Sequence, residues 1–189
     1  MSYYTAQIEE KAGALLLNPR FQVTPIDVSG VAETLGIQVS GRPMEDQASG
    51  MLVVHGNVSH IIYNSSHHPN RQRFTIAHEI GHFVLHHTAS VDRLFVDEKF
   101  AVYKRAGTST DPEYSGLDST TTPTEEREAN QFASALLMPE SRLRKYLEDR
   151  QLAVLDDYDV SVLARSFGVS EQAMTLRATR LNLLQLADS

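Results

Sequence analysis

The sequence predicts an α+β fold: a small antiparallel sheet packed against one buried helix, with a helical pair at the C-terminal end. Three observations carry this. Two short apolar runs, residues 50–54 and 59–63, flank His55-Gly-Asn-Val58, whose Gly-Asn pair is a hairpin turn signal. Residues 73–87, Arg-Phe-Thr-Ile-Ala-His-Glu-Ile-Gly-His-Phe-Val-Leu-His-His, are apolar on almost every side, as in a helix inside a core. Residues 159–167 and 171–184 are amphipathic and meet at Gly168-Val-Ser170, the outline of two helices about a tight turn.

Composition sets the bounds. A chain of 189 residues with 41% hydrophobic content has enough apolar surface for one domain, or one domain with a small appendage. We divide it into a core domain over residues 1–150 and a packed helical pair over 151–189. The absence of cysteine excludes disulfides and thiolate metal sites. A net charge of −7 argues against a broad phosphate-binding surface. The first residues lack a basic segment followed by an apolar one, and no apolar run approaches the ~18 residues of a membrane span. The expected location is the cytoplasm, with no membrane partner.

The elements follow in order. Residues 5–17 have apolar positions at helical spacing and stop at Asn18-Pro19. A short helix through Val31, Ala32 and Leu35 starts at Asp27 or Ser29 as N-cap and ends at Gly36. Residues 37–40 alternate like a strand, and the hairpin comes next. The edge of such a sheet, lying beside a reactive centre, can hold an extended peptide by strand addition. Beyond residue 87 the pattern loosens. Residues 105–125 are dominated by Gly, Ser, Thr, Asp and Pro and read as a loop, either a lid or plain disorder. A helix then begins at Thr122 or Thr124 with Pro123 in its first turn, gathers Glu125, Glu126 and Glu128 at its positive end, and stops at Pro139.

Within the buried helix, His78-Glu79-Ile80-Gly81-His82 is an H-E-x-x-H pattern. A helix turns about 100° per residue, so the two histidines lie about 40° apart on one face. Both can reach one Zn²⁺, while Glu79 sits further round, suited to a metal-bound water. Chance would produce such a pattern in about one chain in fifty of this composition, so the flanks decide. An exposed helix with solvated histidines would not be surrounded by Phe74, Ile76, Ala77, Ile80, Phe83, Val84 and Leu85. Buried imidazoles need partners, and a metal satisfies two at once. Gly81 costs about 1 kcal/mol in a helix interior relative to Ala, which makes sense if another element packs closely there.

A catalytic zinc needs a third protein ligand and one open position. Glu126 shares a helix face with Ala129, Asn130, Ala133 and Leu137, so it is the glutamate best placed to supply that ligand; Glu125 and Glu128 face elsewhere. Asn130, one turn on, is placed to hydrogen-bond and orient a ligand imidazole. Two histidines and a glutamate describe a zincin-like core of the gluzincin type. The metzincin variant is excluded, because Leu85 and Thr88 stand where its glycine and third histidine belong.

Arg73-Phe-Thr-Ile-Ala-His-Glu-Ile-Gly-His-Phe, followed by Glu126-Arg-Glu-Ala-Asn-Gln-Phe-Ala-Ser-Ala-Leu-Leu-Met-Pro139, resembles the ImmA/IrrE family of metallo-endopeptidases. The similarity extends to the hairpin ending at Ile61-Ile-Tyr-Asn64, to residues 28–36, and to the closing Val160-x-x-Leu163-Ala164-x-x-Phe167-Gly-Val-Ser170. The resemblance implies a cytosolic bacterial or phage zinc endopeptidase that cuts a helix-turn-helix repressor, encoded nearby, in stress response or mobile-element induction. It implies His78, His82 and Glu126 as ligands and Glu79 as the catalytic carboxylate. The cofactor expected is Zn²⁺, with Mn²⁺ as the alternative. The polar insertion before Glu126 is longer than the family pattern.

A donor to the oxyanion is sought among Tyr63, His86, Tyr103 and Tyr114. His86, four residues after His82, lies on the ligand side of the helix, although such a histidine is more often structural. His67 and His68, beside Pro69, and His55 and His60, beside the hairpin turn, read as solvated. The C-terminal pair also raises a second function, DNA binding. Residues 156–189 hold three Arg and no Lys against five acidic residues, so direct DNA binding is not expected and a helical pair packed on the core or on a partner is. A third reading is a zinc-holding protein that docks a partner without cutting it; an intact Glu79 opposes that.

Overall fold

The computed structural model of the chain describes residues 3–86, 101–104 and 121–184. Helix α1, Tyr3–Leu15, leads to a single 3-10 turn, Pro19–Phe21, opened by Asn18. Helix α2, Val28–Thr34, is capped by Asp27, whose carboxylate accepts the Gly30 N–H, and Gly36 ends it at φ +75°. That left-handed conformation is one a residue with a Cβ adopts only at a cost.

Strand β1, Ile37–Arg42, is followed by the hairpin β2, Gly50–His55, and β3, Val58–Asn64, paired antiparallel through Gly56-Asn57 as expected. A fourth strand, β4, Ala101–Lys104, adds antiparallel to β2, giving the order β1-β3-β2-β4. The sheet differs from expectation in one pairing: β1 runs parallel to β3, from Ile37 opposite Ser59 to Arg42 opposite Asn64, so the sheet is mixed rather than wholly antiparallel. The reason lies in how the chain crosses from β1 to β2. Buried Asn64 donates to the carbonyls of Met44, Glu45 and Ala48 and accepts the Met44 N–H, pinning the crossing segment over the end of β3. His67 joins this knot, with Nε2 3.0 Å from the Asp46 carbonyl, and is 7% exposed. It is therefore a buried structural histidine, contrary to the reading of it as solvated. His60 is half-buried, with its ring 2.9 Å from Ser40 Oγ, whereas exposed His68 caps the next helix through Nδ1.

Alternation along the strands separates two faces. Ile37, Leu52 and Ile61 join the main core with Ile76, Ala77 and Ile80 of helix α3, Pro69–Val84. Met51 and Ile62, on the opposite face, form a small cluster with Met44 and Val53. Helix α4, Pro123–Leu137, packs along α3, and α5, Glu140–Arg150, follows directly after Pro139.

The helices α6, Asp157–Phe167, and α7, Glu171–Arg180, meet at Gly168, φ +63°. Helix α7 ends at Arg180, short of the expected residue 184; Leu184 instead bridges to Leu155. Leu163, Phe167, Met174 and Ala178 are continuous with the core that holds Ile8, Ala12 and Phe132. Arg177 is 1% exposed; its guanidinium donates to both Glu9 carboxylate oxygens, at 2.5 and 2.8 Å, and to the Met138 carbonyl at 3.0 Å. Arg73 of α3 donates to the carbonyls of Phe167 and Gly168. Among the described residues no helix is long and apolar enough to cross a membrane.

Candidate metal centre

His78, Glu79 and His82 lie in the buried stretch of α3, each 1% exposed. Gly81 is where α3 meets α4, and a Cβ there would stand 3.2 Å from Phe132 Cβ. This approach brings the first turns of α4 over the histidines. Thr122 fixes where α4 starts: its hydroxyl accepts the Glu125 N–H, and the Glu125 carboxylate accepts the Thr122 N–H. Of the two threonines offered as cap, Thr122 takes the role. Glu126 then faces α3.

His78, His82 and Glu126 converge. Their donor atoms crowd together: Nε2 to Nε2 is 3.0 Å, His78 Nε2 to Glu126 Oε2 is 3.3 Å, and His82 Nε2 to the other carboxylate oxygen, Oε1, is 3.3 Å. Ligands held tetrahedrally at roughly 2.0–2.1 Å from one Zn²⁺ stand about 3.3 Å apart, so the set fits such an ion. The donor chemistry agrees. His78 Nδ1 is 3.1 Å from Asn130 Oδ1; in the tautomer that donates this proton, Nε2 keeps the lone pair that a metal ion would need. Two imidazole nitrogens this close to each other and to a carboxylate are an arrangement that a divalent cation stabilises.

Electrostatics points the same way. Burial pushes the His82 imidazole down, against the pull of Glu126, toward the neutral form that ligates metal. Burial would raise the Glu126 carboxyl, but hydrogen bonds with His78, His82 and Thr121 outweigh it and hold the group well below the usual carboxylate range.

Asn130 stands against the His78 imidazole. The other candidates stand elsewhere. The Tyr63 ring lies across Gly41, its register partner on β1, about where a Gly41 Cβ would be, with the ring 2.8 Å from that position. His86 is exposed just beyond the end of α3, at φ +60°. Tyr103 falls on β4 opposite Leu52, while Tyr114 and most of the 105–125 loop lie outside the described residues. Sequence reasoning missed Thr121, whose hydroxyl donates to Glu126 Oε1 at 2.7 Å. The only signal was the threonine run 120–122 just ahead of the helix.

The Peptidase_M78 family model, described as an IrrE N-terminal-like domain, matches residues 32–179, more than three-quarters of the chain. No curated protein matches it. The fold is similar to that of a solved Mycobacterium tuberculosis transcriptional regulator, at 19% identity and a TM-score of 0.55, over 96% of this chain and 48% of that one. The chain thus spans about half the length of that neighbour.

Proposed function

The chain belongs to the Peptidase_M78, IrrE N-terminal-like family, and from that membership we propose that it is a zinc-dependent endopeptidase whose ligands are His78, His82 and Glu126. The observation that carries this is the convergence of three residues from two helices, each imidazole Nε2 within 3.3 Å of a Glu126 carboxylate oxygen and 3.0 Å from the other imidazole. A bound divalent cation would polarise the scissile carbonyl and acidify a water. The rest of the chemistry belongs to the chain. Glu79, next to His78 and buried with it, accepts the water proton and returns it to the departing amine. Asn130 keeps the His78 imidazole turned with Nε2 inward. The low-dielectric surroundings of α3 strengthen both interactions.

The substrate we propose is a helix-turn-helix repressor, whose cleavage relieves repression. Two things support it: the family resemblance carried by the motifs, and a structural neighbour that is itself called a transcriptional regulator. The test is to mix the purified protein with a helix-turn-helix protein encoded beside it. We expect zinc-dependent cleavage at a discrete bond, and an intact repressor in the presence of zinc would count against the assignment. DNA binding by the α6–α7 pair finds less support. Of its basic residues, Arg177 is buried and committed to Glu9, which leaves it no reach to a phosphate.

A further inference from the structure

Resting on the reading that His78, His82 and Glu126 hold a metal ion, we infer that Thr121 is a positioning residue for that site, its hydroxyl fixing the orientation of the Glu126 carboxylate. The three ligands are not equally constrained. The imidazoles have side-chain exposures of 1% and 2% and are wedged into the α3 helix packing, but the Glu126 side chain is 30% exposed. A glutamate with solvent on one side has several rotamers to choose from, and ordering it costs conformational entropy. The 3.3 Å separations from the histidines hold it loosely, whereas the Thr121 hydroxyl at 2.7 Å is a hydrogen bond of charge-assisted length.

Thr121 is itself well placed to act as a fixed anchor. The next residue, Thr122, is locked by the reciprocal capping hydrogen bonds with Glu125, so the backbone that presents the Thr121 hydroxyl is set by the start of α4. Two adjacent threonines thereby divide the work. Thr122 closes the helix, and Thr121, outside it, reaches Glu126 Oε1 and makes the two carboxylate oxygens inequivalent. Thr121 is only half-buried and lies outside the main core, so its loss should weaken the site without unfolding the chain.

The test compares Thr121→Val, which keeps shape and removes the donor, with Thr121→Ser, which restores it. Zinc affinity is measured by competition with a chromophoric chelator, and ligand geometry by the visible spectrum of the Co²⁺-loaded protein. Loss of a hydrogen bond behind a metal ligand typically costs about 10–100-fold in affinity. We expect that loss and an altered cobalt spectrum for Thr121→Val, wild-type values for Thr121→Ser, and unchanged melting of the metal-free protein in both. Wild-type affinity and spectrum in Thr121→Val, or an equal loss in Thr121→Ser, would overturn the inference alone. A wild-type protein that binds no ion would overturn it together with the metal-site reading.

Discussion

Gly81 approaches Ala129 so closely that a Cβ built on the glycine would lie 3.1 Å from Ala129 Cα and 3.2 Å from its carbonyl oxygen. The obstacle is helix backbone, which cannot turn aside as a flexible side chain can. The contact therefore sets the distance between α3, which carries the histidines, and α4, which carries Glu126.

Gly81→Ala tests that relationship. The substitution gains about 1 kcal/mol of helix propensity, but overpacking at a tight contact costs about 1–3 kcal/mol. We expect a net loss of stability of about 1 kcal/mol in denaturant unfolding, accompanied by weaker zinc binding as Glu126 is displaced. Unaltered metal affinity in this variant would show that the helix contact does not govern the site.

Removing the proposed anionic ligand should empty the centre. Glu126→Ala is expected to purify with substoichiometric zinc and to lose the stabilisation that saturating metal confers, about 2.7 kcal/mol at a hundredfold excess over Kd. Metal analysis and melting with and without chelator read this directly. A Glu126→Ala protein that keeps one full zinc per chain removes Glu126 from the ligand set.

Glu79→Gln separates chemistry from binding. The amide is isosteric but cannot accept the proton of water, and Glu79 is not one of the three converging donors. Zinc content should remain at one per chain while cleavage of the proposed repressor substrate falls by about 10²–10⁴-fold. Equal rates for the variant and the wild type would remove Glu79 from the mechanism.

Arg177→Ala should act on the whole fold rather than on the site. It strands the Glu9 carboxylate and the Met138 carbonyl and leaves a hole among α1, α4 and α7. Breaking a buried pair from one side costs about 3–5 kcal/mol, which chemical denaturation should resolve. A stability change below about 1 kcal/mol, the range of exposed pairs, would mean that the ion pair is effectively solvated.

Much of the site was legible from the chain because its determinants are local. H-E-x-x-H places two imidazoles on one helix face whatever the surroundings. Helical spacing put Glu126 and Asn130 on one face with Ala129 and Ala133, and Gly81 signalled a close neighbour. Asp27, Thr122 and Gly168 mark helix ends through caps that act over three or four residues. Helix α5 was overlooked between two clearer signals, and β4, four residues long, is too short for alternation to register.

Other features depended on contacts far apart in sequence. Alternation makes residues 37–40 a strand but is the same in parallel and antiparallel pairs. The grip of Asn64 on residues 44–48, with the His67 contact to Asp46, holds the crossing segment that lets β1 run alongside β3. That grip also buries His67, a residue with nothing apolar beside it in the sequence. The hydroxyl of Thr121 matters only because α4 comes to rest on α3 with Glu126 between them. The chain by itself determined which residues could bind a metal, since helical periodicity is a property of neighbours. The tertiary structure decided how they meet and what holds them there, because hydrogen bonds between distant segments depend on packing that no local pattern encodes.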